Sequence, residues 1–460
     1  MNRTSLLAAT ALAALPLAAA AQERPVAIQN VRILTLEGAP IERGTVVLRG
    51  GKIEAVGREV TVPAGARIED GKGGTVMPGL VSAWFRIEQA GPRTQELPGR
   101  GGRRGPRGPM PTPGPSATPV NLAASKAAAS LYANQEVFAD LLGLGVTTLG
   151  YAPSGQGFPG RGAVLNPAGR TAAALTVDDA AFVLVAPAAN TRAKELLKGE
   201  LDKAAKVLAA RKAPPPASQP ATAPGSQPAG APASQPAAPA APPAQAPQGR
   251  PGPAPAGTPG APQGGSQPQP QKDPNVEVLA DLLDGKARAF LEVGSANDLI
   301  HYLDAVGSVR FPTVVIAARG GGSEGRLDEV LDQVKELKAP VLLPTALPTA
   351  PFTRDLVNQA RRLHDAGIEV GFHLGNSKEG VRQLFFRLME LVRCGLPAEA
   401  ALRGVTLAPA KMLGLDRSLG SLKVGKDADL LLFSGDPLDP ASRLVKVWHK
   451  GQEVKKDPTR

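Results

Sequence analysis

The chain has 460 residues and a formal net charge of +11, with 42% hydrophobic and 20% charged residues. This length exceeds one average domain and is enough to bury a large core. The single cysteine, Cys394, excludes an intrachain disulfide and a thiolate metal cage. Its position at the end of a helical pattern favours a buried structural thiol over a nucleophile.

The first residues predict an export signal. Asn2 and Arg3 form a short basic start, residues 6–20 are apolar and rich in alanine, and three alanines precede Gln22 as a small-residue cleavage site. The alternative is a membrane anchor, but the run is shorter than the roughly 20 apolar residues that span a bilayer. We therefore expect residues 1–21 to be a signal peptide. The protein is then exported, periplasmic or secreted, and bacterial, with no transmembrane segment.

Short β segments separated by turn residues occur at both ends of the chain. They span residues 26–37, 44–56 and 67–76 near the start and 427–434 and 444–454 near the end. Together these segments can form one unit beside the central part of the chain. We predict a small β-sandwich whose first part is residues 22–76 and whose second part is residues 418–460.

The sequence TVMPGLVSAWFR, which ends at Arg86, contains an apolar strand, a Pro-Gly break and a second strand. Residues two apart on a strand share one face, so Trp84 and Arg86 are predicted to point to the same side. An Arg-rich run follows at residues 93–107, with Glu96 as its one acidic residue. It has no aromatic residues that could stack on bases. It therefore favours a solvated or anion-attracting loop, and no nucleic-acid partner is expected.

Strand and helix patterns alternate through the middle of the chain. Strands are predicted at Val146–Tyr151, 181–185, 288–293, Thr313–Ala317, 340–343 and 368–372, and helices at 327–337, 353–366 and 378–394. This alternation is typical of parallel strands joined by crossover helices, and about eight such units close a barrel of about 250 residues. We predict an α/β fold with a TIM-like (β/α)8 barrel over residues 77–417.

Residues 212–272 interrupt this pattern with a segment rich in Pro, Ala, Gln, Ser and Gly. It has almost no large apolar side chain, so burial cannot offset the entropy of ordering it. We expect a disordered tether with polyproline-II character. Helical patterns on both flanks favour an insertion within the barrel over a linker between two domains.

Taken in order along the chain, several motifs resemble the amidohydrolase superfamily and, within it, exported imidazolonepropionase-like proteins. They are IQNVRILTLEGAPIERGTVVLRGGKIEAVG, VMPGLVSAW, GVTTLGYAP with GFPGRGAVLNPAGRTAAAL, SANDLIHYLDAVG, AGIEVGFHLGNS and LAPAKMLGLDRSLGSLKVGKDADLLLFSGDPLDP. The last is the most specific, because it combines a helix, a turn and the return into the β-sandwich. The resemblance covers nearly the whole mature chain and implies the same barrel and sandwich.

The resemblance also implies a metal site whose ligands this chain lacks. Family members bind one or two divalent ions, zinc among them, through His-x-His on barrel strand 1, His on strands 5 and 6, and Asp on strand 8; in some members a bridging Lys or Glu takes part. The metal acidifies a water molecule and the Asp is its general base. The matching positions here are Trp84 and Arg86 on strand 1, Glu292 on strand 5, Ala317, Ala318 and Arg319 on strand 6, and Gly375 on strand 8. We therefore predict no metal cofactor.

The four histidines do not rebuild the missing ligand set. His301, His364 and His449 are expected to be surface or packed structural residues. His373 lies at the end of strand 8, near the predicted barrel mouth. One histidine with Glu292 is a poor zinc site, because catalytic zinc usually has three protein ligands.

The substitutions suggest that side chains replace the metal ion. Trp84 would fill the vacated space, Arg86 would supply a positive charge, and Glu292 would pair with Arg86 across the barrel. Trp84 and Arg86 could instead simply pack, or bind a carboxylated or aromatic small molecule. The predicted pocket contains Trp84, Arg86, Glu292, Arg319 and His373.

Three functions follow from these residues. The preferred one is a catalytically degenerate amidohydrolase, a pseudoenzyme that binds a small anionic or aromatic ligand or partners an active paralogue. The alternative is an active hydrolase of amide, lactam or dipeptide C–N bonds, with Glu292 or His373 as general base in a non-standard or metal-free site. An envelope-contacting scaffold is a third function that the composition permits.

Overall fold

The computed structural model describes residues 24–87, 118–133, 135–213, 272–317, 326–350 and 352–455. The predicted signal peptide, the Arg-rich run, nearly all of the Pro/Ala/Gln-rich insert and Arg319 lie outside these residues. Apart from 210–213 and 272, the described residues belong to one compact unit. None of the helices in the described ranges has the length and apolar character needed to cross a bilayer.

The described residues form seventeen strands and eleven α-helices. The strands are β1 (Val26–Ile33), β2 (Ile41–Arg49), β3 (Lys52–Gly57), β4 (Arg67–Asp70), β5 (Thr75–Pro78), β6 (Leu80–Phe85), β7 (Val120–Asn121), β8 (Val146–Tyr151), β9 (Gly157–Leu165), β10 (Thr176–Ala186), β11 (Ala289–Val293), β12 (Thr313–Ala317), β13 (Val341–Leu343), β14 (Val370–Phe372), β15 (Leu430–Phe433), β16 (Leu444–His449) and β17 (Gln452–Glu453). The helices are α1 (Glu136–Gly143), α2 (Ala172–Leu175), α3 (Thr191–Lys212), α4 (Pro274–Leu283), α5 (Ala296–Val306), α6 (Leu331–Leu337), α7 (Gln359–Asp365), α8 (Lys378–Arg382), α9 (Leu384–Arg393), α10 (Ala398–Arg403) and α11 (Leu407–Leu413).

The strands from the two chain ends form one mixed sheet, which we call the terminal sheet. Its order is β17-β16-β15-β5-β1-β2-β3, and β4 also pairs with β1. Gly50 and Gly51 both have positive φ in the two-residue turn between β2 and β3, where residues with a side chain would be strained. The predicted assembly of both ends is therefore confirmed, and its strands are hydrogen-bonded into a single sheet.

The central strands form a nearly closed eight-stranded barrel in the order β6-β8-β9-β10-β11-β12-β13-β14. All neighbouring pairs are parallel except those of β9, which is antiparallel to both β8 and β10. Only residues 152–156 separate β8 from β9, which is too short for a parallel crossover. Strand β9 was not predicted from the sequence, because its glycines are typical of a loop. Gly162 instead leaves room for Phe182, whose ring would lie 2.0 Å from an added Cβ.

A connecting segment closes the barrel between β14 and β6. The Phe372 amide donates to the Gly404 carbonyl at 2.7 Å, and the Val81 amide donates to the Val405 carbonyl at 3.0 Å. A Cβ on Gly404 would lie 2.5 Å from the Phe372 ring. Residues 404 and 405 therefore complete the hydrogen bonding that a direct strand pair would provide, and they require a small residue.

Two local expectations differ from the structure. The helix expected at 353–366 is α7, which begins at Gln359, because backbone hydrogen bonds such as that from the Val357 amide to the Pro348 carbonyl hold the preceding residues in a turn. Cys394 is half-buried rather than buried. It is the residue that ends α9, where the chain approaches the surface.

Candidate ligand pocket at the barrel mouth

A pocket of about 710 Å³ opens where the parallel barrel strands end. Strands β6, β8, β11 and β14 all direct their carboxyl ends to this side, where barrel enzymes hold their sites. The lining residues are Trp84, Arg86, Ile87, Ser125, Lys126, Ala127, Ser130, Tyr151, Ala152, Pro153, Ser154, Pro159, Glu292 and Asn376. The structure therefore places three of the predicted pocket residues, Trp84, Arg86 and Glu292, in one cavity.

Arg86 joins the ends of four strands. Its Nη1 donates to Glu292 Oε1 at 2.7 Å and its Nη2 donates to Glu292 Oε2 at 2.6 Å. Its Nε donates to the Pro153 carbonyl at 3.0 Å, and its backbone amide donates to Asn376 Oδ1 at 3.3 Å. The side chain of Arg86 thus reaches β11 and the segment after β8, and its backbone amide reaches the segment after β14, so this one residue cross-links the barrel mouth.

Trp84 lies beneath this arginine and closes the centre of the barrel. The Arg86 guanidinium carbon is 4.4 Å from the Trp84 ring centroid, a cation–π distance. Deeper in the barrel, the rings of Phe290 and Phe182 stack with centroids 3.9 Å apart, and Phe290 also stacks on Trp84 at 6.5 Å. Trp84 is only 6% exposed, so little of its ring is available to stack on a ligand.

Glu292 reaches the mouth because β11 alternates its side chains. Phe290 and Glu292 are two residues apart and therefore share the inner face, with Phe290 in the packed interior and Glu292 at the rim. The Glu292 side chain is 17% exposed and that of Arg86 is 23% exposed. A half-buried two-bond pair of this kind is stronger and more directional than a surface ion pair.

His373 does not line this pocket. It is 8% exposed, and its ring meets Trp84 edge-on at a centroid distance of 6.4 Å. Its Nε2 lies 3.0 Å from the Ala317 carbonyl, so Nε2 carries the proton and donates it there. The structure therefore places His373 as a buried side chain edge-on to Trp84, and it is not among the residues that line this pocket.

Several polar pocket residues were not predicted from the sequence. Tyr151 ends β8, and burial raises the pKa of its hydroxyl while the nearby Arg86 charge opposes this shift. Lys126 enters the rim from the segment before α1 and pairs with Asp179 at 2.7 Å. Asn376 follows β14 and holds the Arg86 amide. Tyr151 and Asn376 could have been found as polar residues at strand ends, whereas nothing in the sequence pattern points to Lys126.

The described pocket residues do not fit a divalent metal ion. Within the described ranges, no cluster of three or more His, Cys, Asp or Glu side chains has an arrangement that could hold one. Trp84 and Arg86 have no lone pair to offer, and both Glu292 oxygens already accept from Arg86. His373 is directed at a backbone carbonyl. A cation placed here would meet the permanent positive charge of Arg86.

Comparisons with known proteins show a likeness to amidohydrolases. The amidohydrolase family model matches residues 300–455. The solved amidohydrolase of Thermotoga maritima superposes with a TM-score of 0.66 at 19% identity, covering 94% of this chain and all of that one. Residues 300–455 are thus similar to the amidohydrolase family, and the chain has the amidohydrolase fold.

The curated relatives of this chain are distant and match only in part. Amidohydrolase tasK of Hapsidospora irregularis is 26% identical over 41% of this chain and 19% of that protein. The imidazolonepropionase of Picrophilus torridus is 32% identical over 25% of this chain and 31% of that protein. The chain thus spans less than a third of the length of either relative, and it is distantly related to imidazolonepropionase.

Proposed function

We propose that this amidohydrolase is catalytically degenerate and binds a small polar ligand at the barrel mouth without a metal ion. The observation that carries the proposal is the two-bond contact of Arg86 with Glu292 above Trp84. By the motif correspondence, these side chains occupy the strand 1 and strand 5 positions where the family holds its metal. A guanidinium keeps a positive charge there but cannot acidify a water molecule as a metal does.

The same contacts also explain how the fold can dispense with the ion. A metal at this place would tie several strand ends together through its ligands. Arg86 likewise links several strand ends, through Glu292, the Pro153 carbonyl and Asn376. Because Arg86 and Glu292 neutralise each other, their partial burial avoids the large penalty of an isolated buried charge. The barrel therefore keeps a cross-linked mouth and an open pocket of about 710 Å³.

Hydrolysis of amide, lactam or dipeptide C–N bonds is the competing function, and it lacks a general base among the predicted candidates. Glu292 would have to release Arg86 before it could accept a proton from water. The Nε2–H group of His373 donates a hydrogen bond to the Ala317 carbonyl, and the ring lies edge-on to Trp84. Ligand binding needs neither change, so the geometry favours it.

Metal content and tryptophan fluorescence test the proposal together. The chain has two tryptophans, so the Trp448→Phe variant leaves Trp84 as the only one and makes its emission a report on the pocket. We expect less than one tenth of a divalent ion per chain after purification with zinc supplied. We also expect saturable fluorescence changes with members of a panel of small amides and of carboxylic acids that also carry a hydrogen-bond donor. One tightly held divalent ion per chain, with chelator-sensitive hydrolysis of the amides, would overturn the proposal.

A further inference from the structure

The hydrogen-bond donors of Arg86 are unevenly used. A guanidinium presents five N–H groups, which form one two-pronged edge between the two Nη atoms and a second between Nε and one Nη. Glu292 occupies the first edge with both oxygens, and the Pro153 carbonyl takes the Nε donor of the second. Among the residues that the structure describes, Arg86 therefore has single N–H groups without an acceptor, but no complete edge that matches an incoming carboxylate.

We propose that the Nη edge of Arg86 is a carboxylate-binding site that Glu292 keeps occupied, so that Glu292 acts as an internal competitor and sets the charge selectivity of the pocket. This inference rests on the proposed ligand-binding function of the same pocket. It adds a specificity-determining residue to that function: simple monocarboxylates are rejected, although an arginine is present.

The selectivity follows from what displacement would leave behind. A carboxylate ligand that takes the Nη edge gains the bonds that Glu292 loses, so the exchange itself has little net gain. Glu292 would then be a half-buried anion without its partner, and such a group is strongly unfavourable. Only a ligand that also brings a hydrogen-bond donor for Glu292 avoids this penalty. Repulsive groups of this kind are a common source of binding specificity.

The position of the pair distinguishes it from ion pairs that only stabilise the fold. Arg326 and Asp328 also form a two-bond pair, but their side chains are 8% and 0% exposed. Arg86 and Glu292 instead both line the pocket at the mouth. A small anion can therefore approach Arg86 from the pocket as soon as the Glu292 carboxylate is removed.

Formate and acetate are suitable probes, because they are the smallest carboxylates and need no other pocket contact. The Glu292→Ala change is made in the Trp448→Phe background, and formate is titrated at constant ionic strength against chloride. We expect saturable quenching of Trp84 and a rising Tm in Glu292→Ala, with at least tenfold tighter binding than in the Glu292 parent. Adding Arg86→Met to Glu292→Ala is expected to abolish the response.

Glu369→Ala is the matched control. Glu369 pairs with Lys411 at a distance of 2.9 Å, and neither residue lines this pocket. Removing Glu369 is therefore expected to create no formate response at Trp84. If Glu292→Ala does not fold, Glu292→Gln is measured instead, with the same tenfold criterion. Equal formate binding by the parent and the Glu292 variant, or binding that survives Arg86→Met, would overturn the inference. Failure of the proposed function is separate, because it is detected as stoichiometric metal in the unmodified protein.

Discussion

Two enclosed cations in this protein have different surroundings. Lys426, next to the terminal sheet, is 7% exposed, and its three donors meet Glu37 Oε1 at 3.0 Å, the Leu419 carbonyl at 3.3 Å and Ser421 Oγ. Arg86, at the barrel mouth, is 23% exposed and has N–H groups without an acceptor among the described residues. A cation whose donors are all satisfied holds structure together. A cation with donors left over beside a cavity can also bind a ligand.

The largest expected effect comes from removing Lys426, the cation whose hydrogen-bond donors are all satisfied. Lys426→Met leaves Glu37, Ser421 and the Leu419 carbonyl without their common donor, so the free energy of unfolding should fall by about 3 kcal/mol. Urea denaturation measures this loss. Lys423→Met is the matched control, because Lys423 is exposed and 3.9 Å from Glu37, and it should change stability by less than about 0.5 kcal/mol.

Removing Arg86, the cation with donors left over, should affect stability less and ligand binding more. Arg86→Met breaks the pair with Glu292 and the hydrogen bond to the Pro153 carbonyl. We expect the free energy of unfolding to fall by about 2 kcal/mol and the ligand-dependent change in Trp84 fluorescence to disappear. Arg86→Lys retains the charge without the two-pronged edge and should recover stability only in part. If Arg86→Met destabilised the fold more than Lys426→Met and ligand binding persisted, the distinction between the two cations would be wrong.

The seam between β14 and β6 is closed at Gly404, and the neighbouring Arg403 donates to the Leu36 carbonyl in the loop after β1. Gly404→Ala places a Cβ 2.5 Å from the Phe372 ring, and the steric clash should cost about 1.5 kcal/mol. Gly199→Ala in α3 is the control, since its Cβ meets open space and should add about 0.5 kcal/mol of stability. Thermal unfolding of the two variants should therefore shift in opposite directions.

The smallest effect concerns pH. Burial alone would raise the pKa of Glu37, but the hydrogen bond and charge of Lys426, together with the Ser421 hydroxyl and the Lys423 charge, outweigh burial and hold the pKa below its ordinary value. A depressed folded-state pKa stabilises the protein above the unfolded pKa, and the stabilisation is lost as the pH falls through the folded value. Glu37→Gln should therefore be less stable by about 0.5 kcal/mol at pH 7. Below about pH 4 the difference should shrink; a gap that widened there would contradict this account.

The sequence predicted the barrel well wherever the strand pattern was apolar and regular. Val146–Tyr151 and Thr313–Ala317 have the predicted bounds, since an apolar run between turn residues has few alternatives. β9 was missed because its glycines, which indicate a loop, are needed for the close approach of Phe182 from β10. That requirement comes from a residue that is distant in sequence, so no local pattern reveals it.

The candidate site was predictable in its central residues and not in its walls. Trp84 and Arg86 share a strand face by simple alternation, and Glu292 was placed by its motif. The role of each as a ligand contact is still a prediction. The position of His373 near the mouth was expected from its strand, but its ring turns under Trp84 to reach Ala317. Lys126 and Tyr151 come from separate segments, and only the folded chain brings them to one cavity.

By itself, the sequence determined the strand and helix alternation, the β segments at both ends and the absence of a His-x-His pair before residue 87, because periodicity and residue identity are local properties. The tertiary structure alone decided which donors of Arg86 are used, that His373 lies outside the pocket, and that the 404–405 segment closes the barrel. These outcomes depend on distances between residues hundreds of positions apart, and such distances follow from packing rather than from any pattern along the chain.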